Sequence, residues 1–202
     1  ETAYSGKLKH RDLLVIDEAH NTELELSRFV EVVVTERFSK HQLKIDMPDL
    51  RTQVQAERWV REVYTPKARS HKKHIEKMLE KYHGLKEKAG QFSSFAKQFD
   101  LLDKHVCKID RFLQIYDKEN WVCNLVPADG RRGRRLEFKP VDVSPYSDEM
   151  LFKHGDKVVL MSATILDKDA FCETLGIDKS NASFISMPSP FPTESRPIVA
   201  VP

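Results

Sequence analysis

The fold is decided near the start of the chain by the stretch Leu13-Leu14-Val15-Ile16-Asp17-Glu18-Ala19-His20-Asn21. Its first four residues are aliphatic without alternation, which predicts a strand buried on both faces, as in the parallel sheet of an α/β domain. Open α/β sheets bind ligands in the crevice at the carboxyl ends of their strands. The two acids and the histidine that follow this strand are therefore predicted to lie in a functional site.

Asp17 and Glu18 can have separate roles, because neighbouring side chains at a strand end point in different directions. One carboxylate can hold Mg²⁺ through its water shell, beside the phosphates of a nucleotide. The other can orient or deprotonate an attacking water molecule. The alternative interpretation is an acidic cap for the next helix, with His20 simply at the surface.

Residues 14–21, Leu-Val-Ile-Asp-Glu-Ala-His-Asn, resemble motif II (Walker B) of the DEAH-type superfamily 2 helicases. A second stretch, Lys-Val-Val-Leu-Met-Ser-Ala-Thr at residues 157–164, is again an apolar strand that ends in small hydroxyl residues, and it resembles motif III of the same superfamily. Alone, Thr164 could equally be a cap for a helix at residues 167–175. The two motifs together favour the helicase interpretation.

The spacing of the two motifs indicates which group of superfamily 2 helicases the chain resembles. Ordinary superfamily 2 helicases place motif III a few tens of residues after motif II, whereas roughly 140 residues separate them here. A long insertion at this point is similar to the Arch domain of the XPD/DinG-like helicases. The segment Ser189-Pro190-Phe191-Pro192, followed by Arg196-Pro197-Ile198-Val199, resembles the passage of those proteins into their second motor domain.

This resemblance implies an α/β fold, in which part of a RecA-like helicase motor domain is interrupted by a mainly helical, Arch-like insertion with a small β-hairpin. Motif II would belong to the first motor domain at residues 1–36, and the insertion would occupy residues 37–143. The chain would return to the first motor domain with motif III at residues 144–183 and begin the second at residues 184–202.

Periodicity within the insertion agrees with a helical domain. Helices are predicted from Pro48 to about Thr65, from Lys67 to Lys88 and from Gln91 to Asp117, and the last of these has apolar residues at alternating steps of three and four. Residues 121–126 and 134–143 predict a hairpin joined by a turn at residues 127–130. The segment Val32–Thr35 fits either the end of a helix or a strand.

Net charge is uninformative, with 33 Lys and Arg against 31 Asp and Glu, but the charges are unevenly distributed. Residues 37–90 carry 14 bases and 7 acids, whereas residues 1–36 carry 4 bases and 8 acids. A basic insertion is suited to a phosphate backbone, although a solvated helix face or hairpin tip is the alternative. The predicted DNA-binding side chains are Arg131, Arg132, Arg134 and Arg135 at the hairpin tip, with Lys72 and Lys73 on the second helix of the insertion.

The resemblance implies specific roles for the motif residues. The catalytic residues would be Asp17, which holds Mg²⁺ through water, Glu18, which activates the attacking water, and His20, which connects the nucleotide site to the rest of the motor. The residues that couple hydrolysis to DNA movement would be Ser162, Ala163 and Thr164.

The implied function is that of the central segment of an ATP-dependent 5′–3′ DNA helicase of the XPD/DinG-like type. Mg²⁺ and ATP would be its cofactors, and the insertion would guide single-stranded DNA. The alternative is that the insertion is mainly a regulatory module that docks a protein partner. No Gly-x-x-x-x-Gly-Lys-Ser/Thr loop and no Gln-x-x-Gly-Arg motif occurs, so we expect the segment alone to be inactive. Any iron–sulfur cluster would lie upstream of Glu1.

The remaining composition is consistent with this interpretation. Three cysteines without a Cys-x-x-Cys spacing indicate a reducing intracellular compartment, which would be the cytoplasm of a prokaryote or archaeon or the nucleus of a eukaryote. Scattered histidines at 71, 74, 83 and 105 do not predict a metal site. No apolar run approaches the roughly 18 residues of a membrane span, so no membrane partner is expected.

Overall fold

The computed structural model describes residues 9–130 and 133–188. It shows a mixed α/β fold with one parallel and one antiparallel sheet. The strands are β1 (Arg11–Ile16), β2 (Val32–Thr35), β3 (Trp121–Val126), β4 (Arg135–Pro140) and β5 (Gly155–Leu160). The helices are α1 (Thr22–Val30), α2 (Glu36–Phe38), α3 (Gln53–Trp59), α4 (Thr65–Tyr82), α5 (Ala89–Ile115), α6 (Ser144–Met150) and α7 (Lys168–Thr174). Short 3-10 turns cover Ala19–Asn21, Lys86–Lys88, Phe152–His154 and Lys179–Asn181.

The parallel sheet consists of β1 and β5, which are the strands of the two helicase-like motifs. Their register places Leu13 opposite Lys157 and Ile16 opposite Leu160. The prediction that the first strand is buried on both faces is wrong, because Leu13 is 52% exposed and Val15 is 50% exposed. The physical reason is that, within the described residues, β1 pairs with one strand only and no helix layer covers its faces.

The antiparallel sheet has the strand order β2-β4-β3. The predicted hairpin is present as β3 and β4, which pair from Trp121 opposite Pro140 to Val126 opposite Arg135. The ambiguous segment Val32–Thr35 is a strand, because it adds to the other edge of β4 with Val32 opposite Phe138. This strand precedes residue 37, where we expected the insertion to begin, yet it belongs to the insertion's sheet.

Helices α4 and α5 form an antiparallel pair joined by residues 83–88. Their contacts run in opposite directions along the two helices, from Tyr82 against Phe95 near the turn to Arg69 against Asp110 at the far end. Gly84 in the connection has a φ of +77°, which lies in the left-handed region that glycine adopts readily. The steps of three and four along α5 therefore predicted the helix correctly.

The predicted stop near Thr65 and Pro66 is wrong, because the chain stays helical from α3 into α4. A π turn at Val60–Tyr64 links the two helices, and Pro66 lies in the first turn of α4. Proline has no N–H to donate, and the π turn before it bonds the Thr65 N–H to the Val60 carbonyl oxygen five residues back, so the helix continues past Pro66. The Thr65 hydroxyl donates to the Val60 carbonyl oxygen at 2.8 Å and adds a bond to this turn.

The buried core lies between the antiparallel sheet and the helices that cover it. Phe112 of α5 is at its centre, with ring centroids 5.0 Å from Trp121 and 4.8 Å from Phe138. The Trp121 indole N–H donates to the Tyr146 hydroxyl at 2.9 Å, and the Gln53 amide donates to the Trp121 carbonyl oxygen at 2.7 Å. The large aromatic groups are therefore buried with their polar atoms paired.

Arg134 connects the hairpin to the segment that follows β2. Its guanidinium contacts Glu36 Oε1 at 2.7 Å and donates to the carbonyl oxygens of Met47 and Pro48 at 2.6 and 3.2 Å. The Arg134 backbone N–H also donates to Glu36 Oε2 at 3.0 Å. The hydrogen bonds from Arg134 hold the pKa of Glu36 below its ordinary value.

Replacing Arg134 with alanine is expected to lower the free energy of unfolding by about 1–2 kcal/mol, since the ion pair is partly exposed but several acceptors lose their donor. Urea titration at neutral pH measures this. Glu36 has a lowered pKa, so its contribution is present above the ordinary carboxyl pKa and is lost as the pH falls through the lowered value. The difference between the variant and the wild type should therefore shrink in acid.

Arg51 provides the matched control for this substitution. Its ion pair with Asp49 is largely exposed, so Arg51→Ala should change the free energy of unfolding by less than about 0.5 kcal/mol. Equal losses from the two substitutions would show that the Arg134 contacts contribute nothing beyond a surface charge.

His10 stabilises the start of the parallel sheet. Its Nε2 lies 2.8 Å from Asp156 Oδ1, and its Nδ1 lies 3.0 Å from the Lys153 carbonyl oxygen. Both neighbours accept hydrogen bonds, so both ring nitrogens must carry a proton to satisfy them. The hydrogen bond to Asp156 is the main cause of the raised pKa of His10.

This contact should weaken as the pH rises through the raised pKa of His10, because a group with a raised native pKa stabilises the fold below its unfolded pKa. NMR titration of the His10 ring proton should show the raised pKa in the wild type and a lower pKa in Asp156→Asn, which keeps only the hydrogen bond to the Lys153 carbonyl oxygen. His105, whose pKa burial lowers to about 4, should be the same in both proteins. An unchanged His10 titration would contradict the contact.

Candidate functional site

The candidate site lies at the carboxyl ends of β1 and β5, which adjoin because the strands are parallel. The strand pairing continues past both strand ends. The Met161 N–H donates to the Ile16 carbonyl oxygen at 2.9 Å, and the Ala19 N–H donates to the Met161 carbonyl oxygen at 2.9 Å. These bonds fix the backbone of the first motif against that of the second.

Glu18 occupies an unusual backbone conformation between β1 and α1. Its φ and ψ are 49° and 42°, in the left-handed region that a residue with a Cβ seldom adopts. The Glu18 N–H donates to Asp17 Oδ1 at 2.8 Å, which ties the two acids together at this turn. Both side chains are exposed, so the strained turn presents the two carboxylates to solvent.

His20 joins the two motifs through its side chain. Its Nδ1 lies 2.9 Å from the Ser162 hydroxyl oxygen and 3.4 Å from Glu18 Oε2. The Ser162 hydroxyl lies 3.2 Å from that of Thr164 and accepts a hydrogen bond from the Thr164 N–H at 3.2 Å. A chain of polar contacts therefore runs from Glu18 to Thr164. Ala163 is exposed between the two hydroxyl residues and adds no polar atom of its own to this chain.

The residues at this site fit the chemistry of a magnesium–nucleotide complex. Mg²⁺ is usually bound by one or two carboxylates together with water and substrate phosphates, rather than by a full protein cage. Asp17 and Glu18 supply carboxylate oxygens of this kind. Within residues 9–130 and 133–188, no cluster of three or more His, Cys, Asp or Glu side chains is arranged around a metal position.

The predicted DNA-binding residues lie in different surroundings. Arg134 is held by Glu36, and Arg135 pairs with Glu137 at 2.5 Å. Lys72 pairs with Asp103 and lies 5.7 Å from the centre of the Phe99 ring, whereas Lys73 is exposed on α4. Their role in binding DNA stays a prediction, and Arg131 and Arg132 lie outside the described residues.

A pocket in the insertion was not anticipated from the sequence. It has a volume of about 430 Å³ and lies among β2, the segment after it, α4 and α5. Phe38, Tyr64 and His105 contribute to its wall, and the His105 imidazole was considered only as a scattered histidine. Residues so far apart in the chain carry no common sequence signal, so only the fold shows that they meet.

Comparison with known proteins adds no family assignment, since no protein-family model matches the chain and no curated protein matches it significantly. Within the part of the chain that the structure describes, no helix is both long and apolar enough to cross a bilayer. The candidate site therefore has to be judged by its own geometry.

Glu18→Gly is expected to raise the free energy of unfolding by about 0.5 kcal/mol, because glycine avoids the left-handed strain but has more conformational entropy in the unfolded chain. Urea titration of the purified chain measures this. Glu76→Gly in α4 is the control for an ordinary helical position and should cost about 1 kcal/mol. A similar loss at both positions would show that the Glu18 backbone is not strained.

Proposed function

We propose that this chain is the central segment of an ATP-dependent 5′–3′ DNA helicase of the XPD/DinG-like type. The observation that carries the proposal is the contact between His20 and Ser162, which lie 142 positions apart in the chain and 2.9 Å apart in space. Each belongs to a separate helicase-like motif. Two unrelated chance matches would have no reason to meet at one end of one parallel sheet.

The geometry suits nucleotide hydrolysis at the acids. Bound Mg²⁺ would neutralise developing charge on the transferred phosphoryl group. Asp17 would hold the metal through water, and the neighbouring Glu18 carboxylate would orient the attacking water and accept its proton. The turn fixes the Glu18 backbone next to Asp17, so the two carboxylates start from neighbouring positions.

The polar chain beyond Glu18 suits coupling between hydrolysis and movement. His20 lies within reach of both Glu18 Oε2 and the Ser162 hydroxyl. If Glu18 moved when the terminal phosphate was lost, His20 would transmit the movement to the segment of Ser162, Ala163 and Thr164. That segment leads into α7 and so provides a route to the rest of the motor.

The insertion would guide single-stranded DNA under this proposal. Helix α4 carries six Lys and Arg residues against two Glu, and a surface of this composition attracts a phosphate backbone without reading sequence. Lys72, Arg134 and Arg135 already form ion pairs with acidic side chains. We therefore expect the phosphate contacts at exposed residues such as Lys73. Among the described residues, the binding surface would then lie mainly on α4.

In the full-length helicase that we propose, Glu18→Gln should lower the rate of ATP hydrolysis by about 100-fold or more and leave ATP binding intact. The reason is that glutamine keeps the size of the side chain but cannot accept the proton. Steady-state hydrolysis and binding of a fluorescent nucleotide, both with Mg²⁺ present, measure the two effects.

Glu23→Gln is the matched control, since it removes one exposed carboxylate from α1 near the site. It should retain hydrolysis within about twofold, because it lies outside the polar chain. Full hydrolysis by Glu18→Gln would overturn the assignment of the first motif.

A further inference from the structure

The pocket in the insertion has the properties of a site for one flat, polar-edged ring. Its volume of about 430 Å³ is within the range of small-ligand pockets. The rings of Phe38, Tyr64 and His105 pack against one another in it, with Phe38 and His105 centroids 5.7 Å apart. Phe38 and His105 are partly exposed and offer ring surface to the pocket, whereas Tyr64 is fully buried.

The pocket is neutral inside. Among the described residues that line it, none is Asp, Glu, Lys or Arg. Burial lowers the pKa of His105 to about 4, and its Nε2 is held by the Tyr64 hydroxyl at 2.7 Å. Burial and the neighbouring His74 also lower the pKa of His71. Both lining histidines are therefore uncharged at neutral pH.

The mouth of the pocket adds hydrogen-bonding groups. The exposed amides of Gln42 and Gln98 lie there, beside Leu101, whose side chain is 69% exposed. An amide both donates and accepts, as the edge of a nucleobase does. The Gln98 amide N–H also donates to the Ser94 hydroxyl at 3.3 Å, and its carbonyl oxygen can accept from the donor edge of a base.

The charge around the pocket indicates what is attached to the ring. A second hollow shares Thr35, Phe38 and Gln42 with the pocket and is completed by the exposed residues Arg37 and His41. On the other side lies the basic helix α4. A ligand that carries phosphate next to a planar ring matches this combination of a neutral aromatic pocket and a cationic margin.

We propose that this pocket takes one unstacked base of single-stranded DNA, with the adjoining phosphate at the hollow formed by Arg37 and His41. The inference rests on the proposed function in that it takes the insertion to contact single-stranded DNA. It goes further by assigning a base-binding position to the insertion itself. Contacts to the DNA backbone alone would not distinguish a stacked base from an unstacked one.

The test compares two fluorescent oligonucleotides of equal length and phosphate number, one with ordinary bases and one in which every nucleotide is abasic. Anisotropy titrations with the full chain at low salt give the Kd of each. The ordinary oligonucleotide should bind about tenfold more tightly, in the range measured for one stacked base. If the two oligonucleotides bound with equal affinity, the proposal that the pocket takes a base would be wrong. The strand would then be bound through phosphate contacts alone.

The double variant Gln98→Ala/Leu101→Ala removes two exposed groups at the mouth and should bring the ordinary oligonucleotide down to the affinity of the abasic one. The control Val54→Ala/Gln114→Ala removes an aliphatic side chain and an amide that are exposed elsewhere on α3 and α5. It should behave as the wild type. An equal loss for both oligonucleotides in the first variant would also refute a base-specific role.

Crosslinking locates the contact independently. Irradiation of an oligonucleotide that carries 5-iodouracil should attach it to the peptides that contain Phe38, Tyr64 or His105, and attachment only outside these peptides would count against the pocket. If neither oligonucleotide binds at low salt, both this inference and strand guidance by the insertion fail. The proposed hydrolysis at Asp17 and Glu18 has a separate test and would stand.

Discussion

The parallel pairing of β1 with β5 is the constraint on which the rest of the structure depends. Parallel neighbours cannot be joined by a tight turn, so the chain must leave at the carboxyl end of β1 and return to the amino end of the sheet before β5 begins. Usually a single helix makes that crossover, but here a segment with its own sheet and core does. Because β1 and β5 are in register to Ile16 and Leu160, their carboxyl ends bring the two motifs into contact. Site geometry thus follows from strand pairing.

A long crossover would tolerate many arrangements unless its own ends were held together. Strand β2 begins directly after α1, and β4 pairs with it although about a hundred residues lie between them. The Glu36–Arg134 contacts reinforce this closure on one side, and the Lys139–Glu31 pair at 3.3 Å does so on the other. In the sequence, arginines beside a turn are readily interpreted as phosphate ligands. The guanidinium of Arg134 instead binds Glu36 and closes the insertion.

Sequence reasoning succeeded where the signal was local and failed where it was not. The steps of three and four along α5 reflect contacts that the helix makes along one face, and the turn at residues 127–130 lies between two strands that pair with each other, so both features were predicted. Val32–Thr35 could not be assigned, since its partner strand is distant in the chain. Arg134 was not recognised as a closing contact because Glu36 lies 98 positions away. Glu18 likewise carries no local sign of its left-handed backbone.

The exposure of the parallel sheet has a physical consequence under the proposed function. Leu13, Val15 and Val159 present apolar side chains to water, which is unfavourable for a parallel sheet, since such sheets are normally covered on both faces. The core around the antiparallel sheet is buried, and it includes Leu26 and Val30 of α1 as well as residues of the insertion. In a complete motor domain, covering the sheet would therefore stabilise the catalytic turn at Glu18 more than the insertion. Completing the motor domain would then also order the hydrolytic site, whereas the core around the antiparallel sheet is already buried.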